Sequence, residues 1–590
     1  MERFEEIENA GTEVPYRCVK CRNCEDCKTG EKVECTSIRE EVEQALIDKS
    51  VTVDLLAKRT TARLPFLTDP KYKLTHNMHI ARKIYDRQLR QLNRSPKDKQ
   101  DVLDTQNKLQ SLGFVDDFDN LTKEQQNKIS SSPIRYFIPW RAVWNLNSKT
   151  TECRMVFDAS HPTETGVSLN DILAKGRNNM NKLLEIALRW RIWPEAFHTD
   201  VRKMYNTLVL DEDHWCYQLY LWNDELEPTE EPKWKVIKTL IYGVKSSGNQ
   251  AERGIRETGR LMSAEFPRQH EIIQIDIYVD NCMSGELDAH QREVTCEGLK
   301  TSLLGGGFNL KGFTFSGFDP PPNLANEDRS INVAGHKWFS EKDRLGLNIG
   351  ELNFTRKNRG KKLASSAGII PDDFTRRDSE GKVAEIFDLF GMFVPITAGM
   401  KIDRRELSAR GLNWGDNVPL ELKNTWRENF EMIRKLGDIT FRRAIVPEDA
   451  VNLNMEVLEM ADASEKLACV AIYGRFCLKS GSFSCQLLFA KSKLIPSGTT
   501  QPRAELIAAG LNASGGHTVY LALRDFIVSR LHLTDSQIVL FWITNTKLQM
   551  KKWVRNRVIE IVRLTCRDRW FHIDGKKYDC RSRHKKRSDT

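Results

Sequence analysis

The sequence predicts a multidomain protein of mixed α+β and α/β class. The chain has 590 residues, of which 40% are hydrophobic and 29% are charged. This composition is typical of globular domains with buried cores, and the length predicts roughly three or four of them. Segments with helical spacing of apolar residues alternate with short runs of β-branched and aromatic residues, which indicate strands.

Composition and the amino-terminal sequence also indicate where in the cell the protein is expected. No apolar run approaches the ~18 residues of a membrane-spanning helix, and the acidic start Met1–Glu6 lacks the order of a signal peptide. We expect a protein without a membrane partner that is cytoplasmic, in a particle or with nuclear access, and not secreted. The fourteen cysteines are then expected as thiols or metal ligands. The net charge of +9 and the basic tail Arg581–Arg587 are compatible with nucleic-acid binding, although a solvated tail has the same composition.

The first segment, residues 1–36, is rich in cysteine. Its thiols recur at Cys-x-x-Cys spacing at Cys18, Cys21, Cys24 and Cys27. Thiolates so spaced can converge on one soft metal ion, which predicts a Zn²⁺ site or, alternatively, an iron–sulfur cluster. The other interpretation is a reduced linker that binds no metal.

Residues 37–130 form a region that we expect to be mostly helical. Ser37 and Glu40 have the spacing of a capping box. Apolar residues follow at helical spacing in the range 81–89. The next region, 131–325, starts with the strand-like run Pro133–Phe157.

The tetrapeptide Tyr278–Asn281 is the most informative feature of that region. The alternation in Ile273–Asp280 predicts a strand with one apolar face, and Cys282–Gly285 is expected to form the turn after it. An acidic residue, Asp280, then lies at the tip of a hairpin, which is how a polymerase holds a catalytic Mg²⁺ ion. The alternative is an ordinary turn, since Asp and Asn favour turns.

Two-metal nucleotidyl transfer needs a second carboxylate. Asp200 ends a short predicted strand, and Tyr205 follows in a helix near the same site. Arg154 lies on a strand edge where its guanidinium could clamp a triphosphate. Gly243 allows the backbone to approach template or nucleotide closely. Each residue alone is also compatible with a structural role: a surface ion pair for Arg154, a core aromatic for Tyr205 and a plain turn for Gly243.

Residues 326–446 read as mixed structure, with a helix predicted over 382–393. Residues 447–590 have a β-β-β-α-β-α order. The predicted elements are strands at 455–461, 468–476 and 482–490 with a turn at 479–481, a helix at 502–512, a strand beginning near 535, a helix at 548–565 and a strand at 570–573.

This last region has four spaced carboxylates in an order that resembles ribonuclease H. They are Asp462 at the end of the first strand, Glu505 one turn into the helix, Asp535, expected to open a strand, and Asp579 near the end. In that fold they would share two Mg²⁺ ions and direct a water molecule at an RNA phosphodiester. Alternatively, Asp462 and Asp535 are only capping or turn residues.

Taken in order, the motifs resemble the reverse transcriptase of Pao/BEL-type long-terminal-repeat retrotransposons, and the similarity runs across nearly the whole chain. The segments that carry it are Arg154–Ser160, Ser168–Asn170, Asp200–Tyr205, Gly243–Ser247, Tyr278–Asp280, Glu385–Gly391, Pro395–Thr397 and Leu412–Trp414. The resemblance implies a fingers–palm–thumb polymerase, a thumb- or connection-like region over 326–446 and a ribonuclease H-like domain over 447–590.

The resemblance also implies roles and partners. Asp200 and Asp280 would bind Mg²⁺ or Mn²⁺, and Tyr205 would be the steric gate against a ribose 2′-hydroxyl. The expected partners are an RNA template, a DNA primer, the RNA–DNA hybrid and dNTPs. The chain has no Asp-Thr/Ser-Gly protease box and no integrase after Thr590, so we expect a fragment of a polyprotein that has those neighbours.

Asn281 departs from the family's second motif Asp. Two hypotheses follow: an active RNA-directed DNA polymerase with ribonuclease H activity, or a catalytically degenerate remnant that only binds nucleic acid. A third, a zinc-binding interaction protein, rests on the cysteine segment alone.

Overall fold

The computed structural model describes residues 11–12, 37–144, 153–354 and 368–574. The cysteines Cys18 to Cys27, the carboxylate Asp579 and the basic tail Arg581–Arg587 lie outside these ranges. Within them, no helix is long and apolar enough to cross a membrane.

The region after residue 37 is mostly helical, as predicted. Its capping box is present: the Ser37 hydroxyl accepts the Glu40 N–H at 3.2 Å, and the Glu40 carboxylate accepts the Ser37 N–H at 2.8 Å. The elements are α1 (Ile38–Lys49), β1 (Val51–Asp54), β2 (Arg59–Ala62), α2 (Met78–Leu92), α3 (Pro96–Ser111), β3 (Val115–Asp117) and α4 (Lys123–Ser131).

The next region contains the strands predicted over 133–157 and a four-stranded antiparallel sheet, ordered β10-β11-β6-β12, that carries Asp200 and Asp280. The elements are β4 (Trp140–Trp144), β5 (Cys153–Phe157), α5 (Leu183–Trp190), β6 (Glu195–Asp200), α6 (Met204–Thr207), β7 (Leu208–Leu210), β8 (Leu219–Trp222), β9 (Lys233–Ile237), α7 (Ser247–Leu261), α8 (Pro267–Ile275), β10 (Ile277–Tyr278), β11 (Asn281–Glu286), α9 (Ala289–Leu304) and β12 (Thr314–Phe315).

The strand predicted over Ile273–Asp280 is wrong at both ends. Ile273–Ile275 belong to helix α8, which begins at Pro267 and packs Ile273 against Gly259 of α7. The strand is only Ile277–Tyr278, and the segment expected to turn, Cys282–Gly285, lies in β11. A short apolar run is compatible with either a helix or a strand. Packing against α7 therefore determined which of the two formed.

The middle region contains the sheet β13-β14-β15-β16 and a helical bundle. The elements are β13 (Ile331–Val333), β14 (His336–Phe339), β15 (Arg344–Leu347), α10 (Arg376–Ala384), α11 (Val394–Ala409), α12 (Leu420–Leu436) and β16 (Thr440–Arg442).

The helix predicted over 382–393 is wrong beyond Ala384. The chain leaves the helix there and turns at Asp388, whose carboxylate accepts the N–H groups of Met392 and Phe393 at 3.0 and 2.7 Å. Gly391 follows with φ +74, and a Cβ on it would lie 1.7 Å from the Ala490 carbonyl oxygen. Close approach of the C-terminal sheet therefore excludes a helix at this position.

The C-terminal region is a five-stranded sheet, ordered β19-β18-β17-β20-β21, with helices packed on it. Strands β17 and β20 are parallel, as are β20 and β21. The elements are β17 (Met455–Ala463), β18 (Leu467–Cys477), β19 (Phe483–Leu494), α13 (Gln501–Leu523), β20 (Ile527–Thr534), α14 (Gln537–Thr544), α15 (Lys552–Leu564) and β21 (Trp570–His572).

Most predicted elements of this region are confirmed, although the helix at Gln501 runs to Leu523. The prediction that Asp535 opens a strand is wrong, because Asp535 directly follows the strand Ile527–Thr534. That strand carries Arg530 and His532 at positions that a simple apolar alternation does not anticipate. Both side chains contact a buried carboxylate, described below.

One apolar core joins the sheet β10-β11-β6-β12 to the C-terminal region. It includes helix α5 together with residues of β13 to β15 and of β17 to α13. At its centre the rings of Trp190 and Trp338 lie 4.9 Å apart. Arg443, with no exposed surface, binds Asp343 through Nε and Nη2 at 2.7 and 2.8 Å and donates to the Trp190 carbonyl at 2.6 Å. The two candidate sites therefore lie on parts of the chain that share a core.

Candidate nucleic-acid-processing sites

The structure brings Asp200 and Asp280 together. Asp200 ends β6 directly opposite Asn281 of β11, and Asp280 is the second residue of the two-residue turn between β10 and β11. The Val201 N–H donates to the Asp280 carbonyl at 2.7 Å. Val279 adopts φ +56 in that turn, which strains a β-branched residue. The hairpin tip is thus held in one conformation beside the end of β6.

The two carboxylates interact electrostatically. Burial raises the pKa of Asp280, and the negative charge of Asp200 raises it further. Lys311 offsets part of this repulsion, since its Nζ lies 3.2 Å from Asp200 Oδ2. A partly buried pair of acids with one lysine has the charge balance of a site that gains stability from a divalent cation.

Asn281 links Asp280 to a buried histidine. Asn281 Nδ2 donates to Asp280 Oδ1 at 3.0 Å. The other amide atom, Asn281 Oδ1, then lies 3.1 Å from His198 Nε2. His198 Nε2 must then carry the proton, because an amide oxygen only accepts. His198 Nδ1 has no partner among the described residues, and burial lowers the pKa of His198. The histidine is therefore neutral, and sequence reasoning missed it.

Tyr205 lies near Asp280, and Arg154 lies near Tyr242, the aromatic neighbour of Tyr205. The ring of Tyr205 packs on Tyr242, with centroids 4.3 Å apart. Burial raises the pKa of Tyr205, and Asp280 adds to that effect. Burial and Asp280 also raise the pKa of Tyr242, whereas the nearby Arg154 lowers it. Arg154 itself is exposed on β5, so its guanidinium is free to reach a ligand.

Gly243 sits where another backbone segment approaches closely. Its φ is +105, and a Cβ would lie 2.0 Å from the carbonyl oxygen of Phe157. Only glycine fits such a position. Asn170 fixes the loop, because its Nδ2 donates to the Gly243 carbonyl and to Ser160 Oγ, both at 2.8 Å, and its Oδ1 accepts the Lys245 N–H at 2.8 Å. Three separate sequence motifs thus form one substructure, and Asn170 is a residue that the site prediction omitted.

The C-terminal carboxylates lie at one edge of their sheet. The register pairs Met460 with Leu533 in parallel strands, which places Asp462 level with Asp535. Glu505 lies in the second turn of α13, and Gln501 of the same helix donates to Glu505 Oε1 at 3.2 Å and to the Ala463 carbonyl at 2.7 Å. The start of the helix is therefore bound to the end of the strand that carries Asp462.

No group of three or more His, Cys, Asp or Glu side chains in the described ranges is close enough to hold a metal ion. The first site has two acids, Asp200 and Asp280. At the C-terminal edge, Asp462, Glu505 and Asp535 lie at the same end of the sheet but are not close enough to form such a group. Carboxylate oxygens are nevertheless the ligands that Mg²⁺ prefers, so the donor chemistry at both places suits this ion.

Behind the C-terminal edge lies a buried ionic network centred on Glu459. Its carboxylate, with no exposed surface, accepts Arg530 Nε at 2.7 Å and lies 2.9 Å from His532 Nδ1. Asn512 Nδ2 donates to the Glu459 carbonyl at 2.9 Å. A Cβ at Gly516 would meet Glu459 Oε2 at 1.8 Å, so glycine makes room for the carboxylate. This network explains the polar residues of β20.

Solved structures that are similar to part of this chain include three of a foamy viral protease–reverse transcriptase. One, a dRH form with double-stranded DNA, is 14% identical over 80% of this chain and 68% of that chain, with a TM-score of 0.46. A second, with double-stranded DNA, is 14% identical over 80% and 81%, with a TM-score of 0.45. A third, with an RNA/DNA hybrid, is 13% identical over 75% and 50%, with a TM-score of 0.44.

No curated protein matches the chain. A family model does: residues 375–536 match the Pao retrotransposon-like RNaseH-like domain. The match begins at the N-cap of α10 and ends directly after Asp535, so it includes Asp462 and Glu505. Residues 375–536 of the chain therefore form a Pao retrotransposon-like RNaseH-like domain, in agreement with the retrotransposon resemblance of the motifs.

Proposed function

We propose that the chain is an RNA-directed DNA polymerase with ribonuclease H activity, derived from a Pao/BEL-type retrotransposon polyprotein. The observation that carries the polymerase part is the convergence of Asp200 and Asp280 on adjacent strands, with the backbone bond from Val201 to Asp280 between them. Two acids so placed are what nucleotidyl transfer requires of a protein.

In the polymerase site, Asp200 and Asp280 would hold Mg²⁺ or Mn²⁺. The bound ions supply activation of the attacking hydroxyl and stabilisation of the leaving oxygen. Arg154 binds the triphosphate of the incoming dNTP, and Tyr205, wedged against Tyr242, excludes a ribose 2′-hydroxyl. The backbone at Gly243, fixed by Asn170, approaches the template or nucleotide. The RNA template and DNA primer complete this site.

In the ribonuclease site, Asp462, Glu505 and Asp535 would hold Mg²⁺ against the RNA strand of an RNA–DNA hybrid. Their common edge and the family match support this assignment. Asp579 remains a predicted fourth ligand, and the cysteines Cys18 to Cys27 remain a predicted Zn²⁺ site. We also propose that the protein acts in the cytoplasm, in a particle or with nuclear access, beside protease and integrase neighbours from the same polyprotein.

The alternative function is a nucleic-acid-binding remnant without polymerase activity. Asn281 favours it, because an amide replaces the second acid of the hairpin and is hydrogen-bonded to the first. The alternative does not extend to RNA cleavage, whose three described carboxylates are present.

The test separates the two activities of the purified full chain with one variant for each site. Primer extension on an RNA template and cleavage of an RNA–DNA hybrid are measured with Mg²⁺ and then with Mn²⁺. Asp200→Asn should abolish extension and leave cleavage intact, and Asp462→Asn should do the reverse. Glu341→Gln, an exposed acid outside both sites, is the matched control. Loss of neither activity in the two site variants would refute the assignments.

A further inference from the structure

A polar cavity lies at the opposite end of the C-terminal sheet from the carboxylates. It has a volume of about 500 Å³ and is formed by the amino-terminal half of β20, the last turns of α13 and α15, and the turn after α15. Strand β20 ends beside Asp535, so the start of the strand lies roughly 26 Å from that residue, and Arg530 roughly 16 Å from it, at ~3.3 Å per residue. The cavity is therefore separate from the proposed ribonuclease site.

The charged side chains that line this cavity are all basic. Three arginines, Arg530, Arg563 and Arg569, line it together with His532, and none of the described residues that line it is Asp or Glu. The carboxyl ends of α13 and α15 face the same region and contribute roughly half a negative charge each, and Glu459 lies behind Arg530. The described charged side chains that line the cavity itself are therefore basic and include no acid.

Arg530 is preorganised for an anion. Its Nε is fixed on the fully buried Glu459 at 2.7 Å, and its side chain is only 16% exposed. Its Nη1 lies a long 3.5 Å from the Leu564 carbonyl, and its Nη2 is buried without a hydrogen-bond partner among the described residues. A buried unsatisfied guanidinium nitrogen is costly. The Arg530 side chain that lines the cavity is therefore already fixed and needs no further ordering to attract an anion with its charge.

The remaining walls suit the rest of a nucleotide. Tyr520, 38% exposed, packs against Arg530 with the guanidinium 5.2 Å from the ring centroid. Apolar side chains of β20 and α15 line the other side. A cavity of this volume lies within the usual range for small-molecule sites and is larger than a phosphate alone requires.

We infer that this cavity binds a nucleotide phosphate, with the phosphate on the three arginines and the base or sugar against Tyr520 and the apolar wall. The ligand is either a free nucleoside 5′-monophosphate or the 5′-phosphorylated end of a nucleic-acid strand, because both present the same chemical group. The inference goes beyond the proposed function and does not depend on either activity.

Cys566 is a built-in reporter, since its exposed thiol lines the cavity. The full chain is treated briefly with N-ethylmaleimide, and the modification of each cysteine is read by mass spectrometry. Adenosine 5′-monophosphate should slow the modification of Cys566 saturably, whereas adenosine should not. Cys477, exposed on β18, should react at the same rate throughout. Equal protection by adenosine, or protection by no phosphorylated probe, would overturn the inference.

Two further arms identify the source of the phosphate and the role of the arginines. A 5′-phosphorylated oligonucleotide is compared with its 5′-hydroxyl form; protection by the phosphorylated form alone assigns a strand end, and protection by the monophosphate assigns a free nucleotide. Arg563→Ala combined with Arg569→Ala should weaken binding by about tenfold or more, the effect of losing a hydrogen bond to a charged group. Arg555→Ala, exposed on the same helix, is the control, and an equal loss in that variant would refute the assignment.

Discussion

Replacing Asn281 with Asp tests the polymerase site most directly. In the structure the Asn281 amide donates to Asp280 Oδ1 at 3.0 Å and accepts from His198 Nε2 at 3.1 Å. The substitution keeps the bond from His198, since a carboxylate also accepts it. It converts the contact with Asp280 from a hydrogen bond to a repulsion.

The size of both effects follows from this geometry. Without a cation, two carboxylates about 4 Å apart repel by about 4 kcal/mol at an effective dielectric constant of roughly 20. The Asn281→Asp protein should therefore be less stable than the parent in chelator and should regain stability with Mg²⁺. With the ion bound, an added ligand charge that contributes ~3 kcal/mol to the transition state raises the rate on the order of 100-fold.

The assay is primer extension on an RNA template, with hybrid cleavage measured in parallel and thermal unfolding followed with and without Mg²⁺. Extension should rise by about two orders of magnitude, and cleavage should not change. Asn281→Leu, which removes both hydrogen bonds without adding charge, should not raise extension. Equal extension by parent and Asn281→Asp would show that this residue does not limit the reaction.

Four further outcomes follow from the structure. Gly243→Ala should lower the free energy of unfolding in urea by roughly 3 kcal/mol or more, because strain at its φ adds to a clash with the Phe157 carbonyl oxygen; no change would contradict the backbone geometry. Arg443→Met should cost roughly 2–3 kcal/mol in the same assay, since it leaves the Trp190 and Trp193 carbonyl groups without their donor and removes the cation beside Asp343. Glu505→Gln should abolish hybrid cleavage while binding of the hybrid, measured by anisotropy, is kept or tightened. Burial and Asp200 raise the pKa of Asp280, so ionisation of Asp280 destabilises the metal-free fold as the pH rises above about 4. Asp280→Asn should therefore be more stable than the parent at neutral pH in chelator, yet inactive in extension. A variant that is less stable than the parent would contradict this direction of the pKa shift.

Local sequence patterns determined most of the secondary structure of the C-terminal domain and the order of its acids. The strands of 447–590 have clear apolar alternation, and the turn at Gly481 has the φ of +81 that favours glycine. The capping box at Ser37 is likewise a local interaction. Such features are predictable because hydrogen bonds and periodic burial within a few residues dictate them.

Tertiary structure decided the rest. Ile273 is helical because α7 packs on it. The predicted helix does not continue through Gly391, because the backbone of β19 approaches that residue closely. Asp535 follows a strand that the apolar pattern does not predict, because Arg530 and His532 are buried there only through their contacts with Glu459. The pairing of Asp200 with Asp280, the neutral His198 and the cavity at Arg530 all join residues that are distant along the chain. No periodicity encodes such contacts, because their free energy comes from groups that meet only after the sheets have formed.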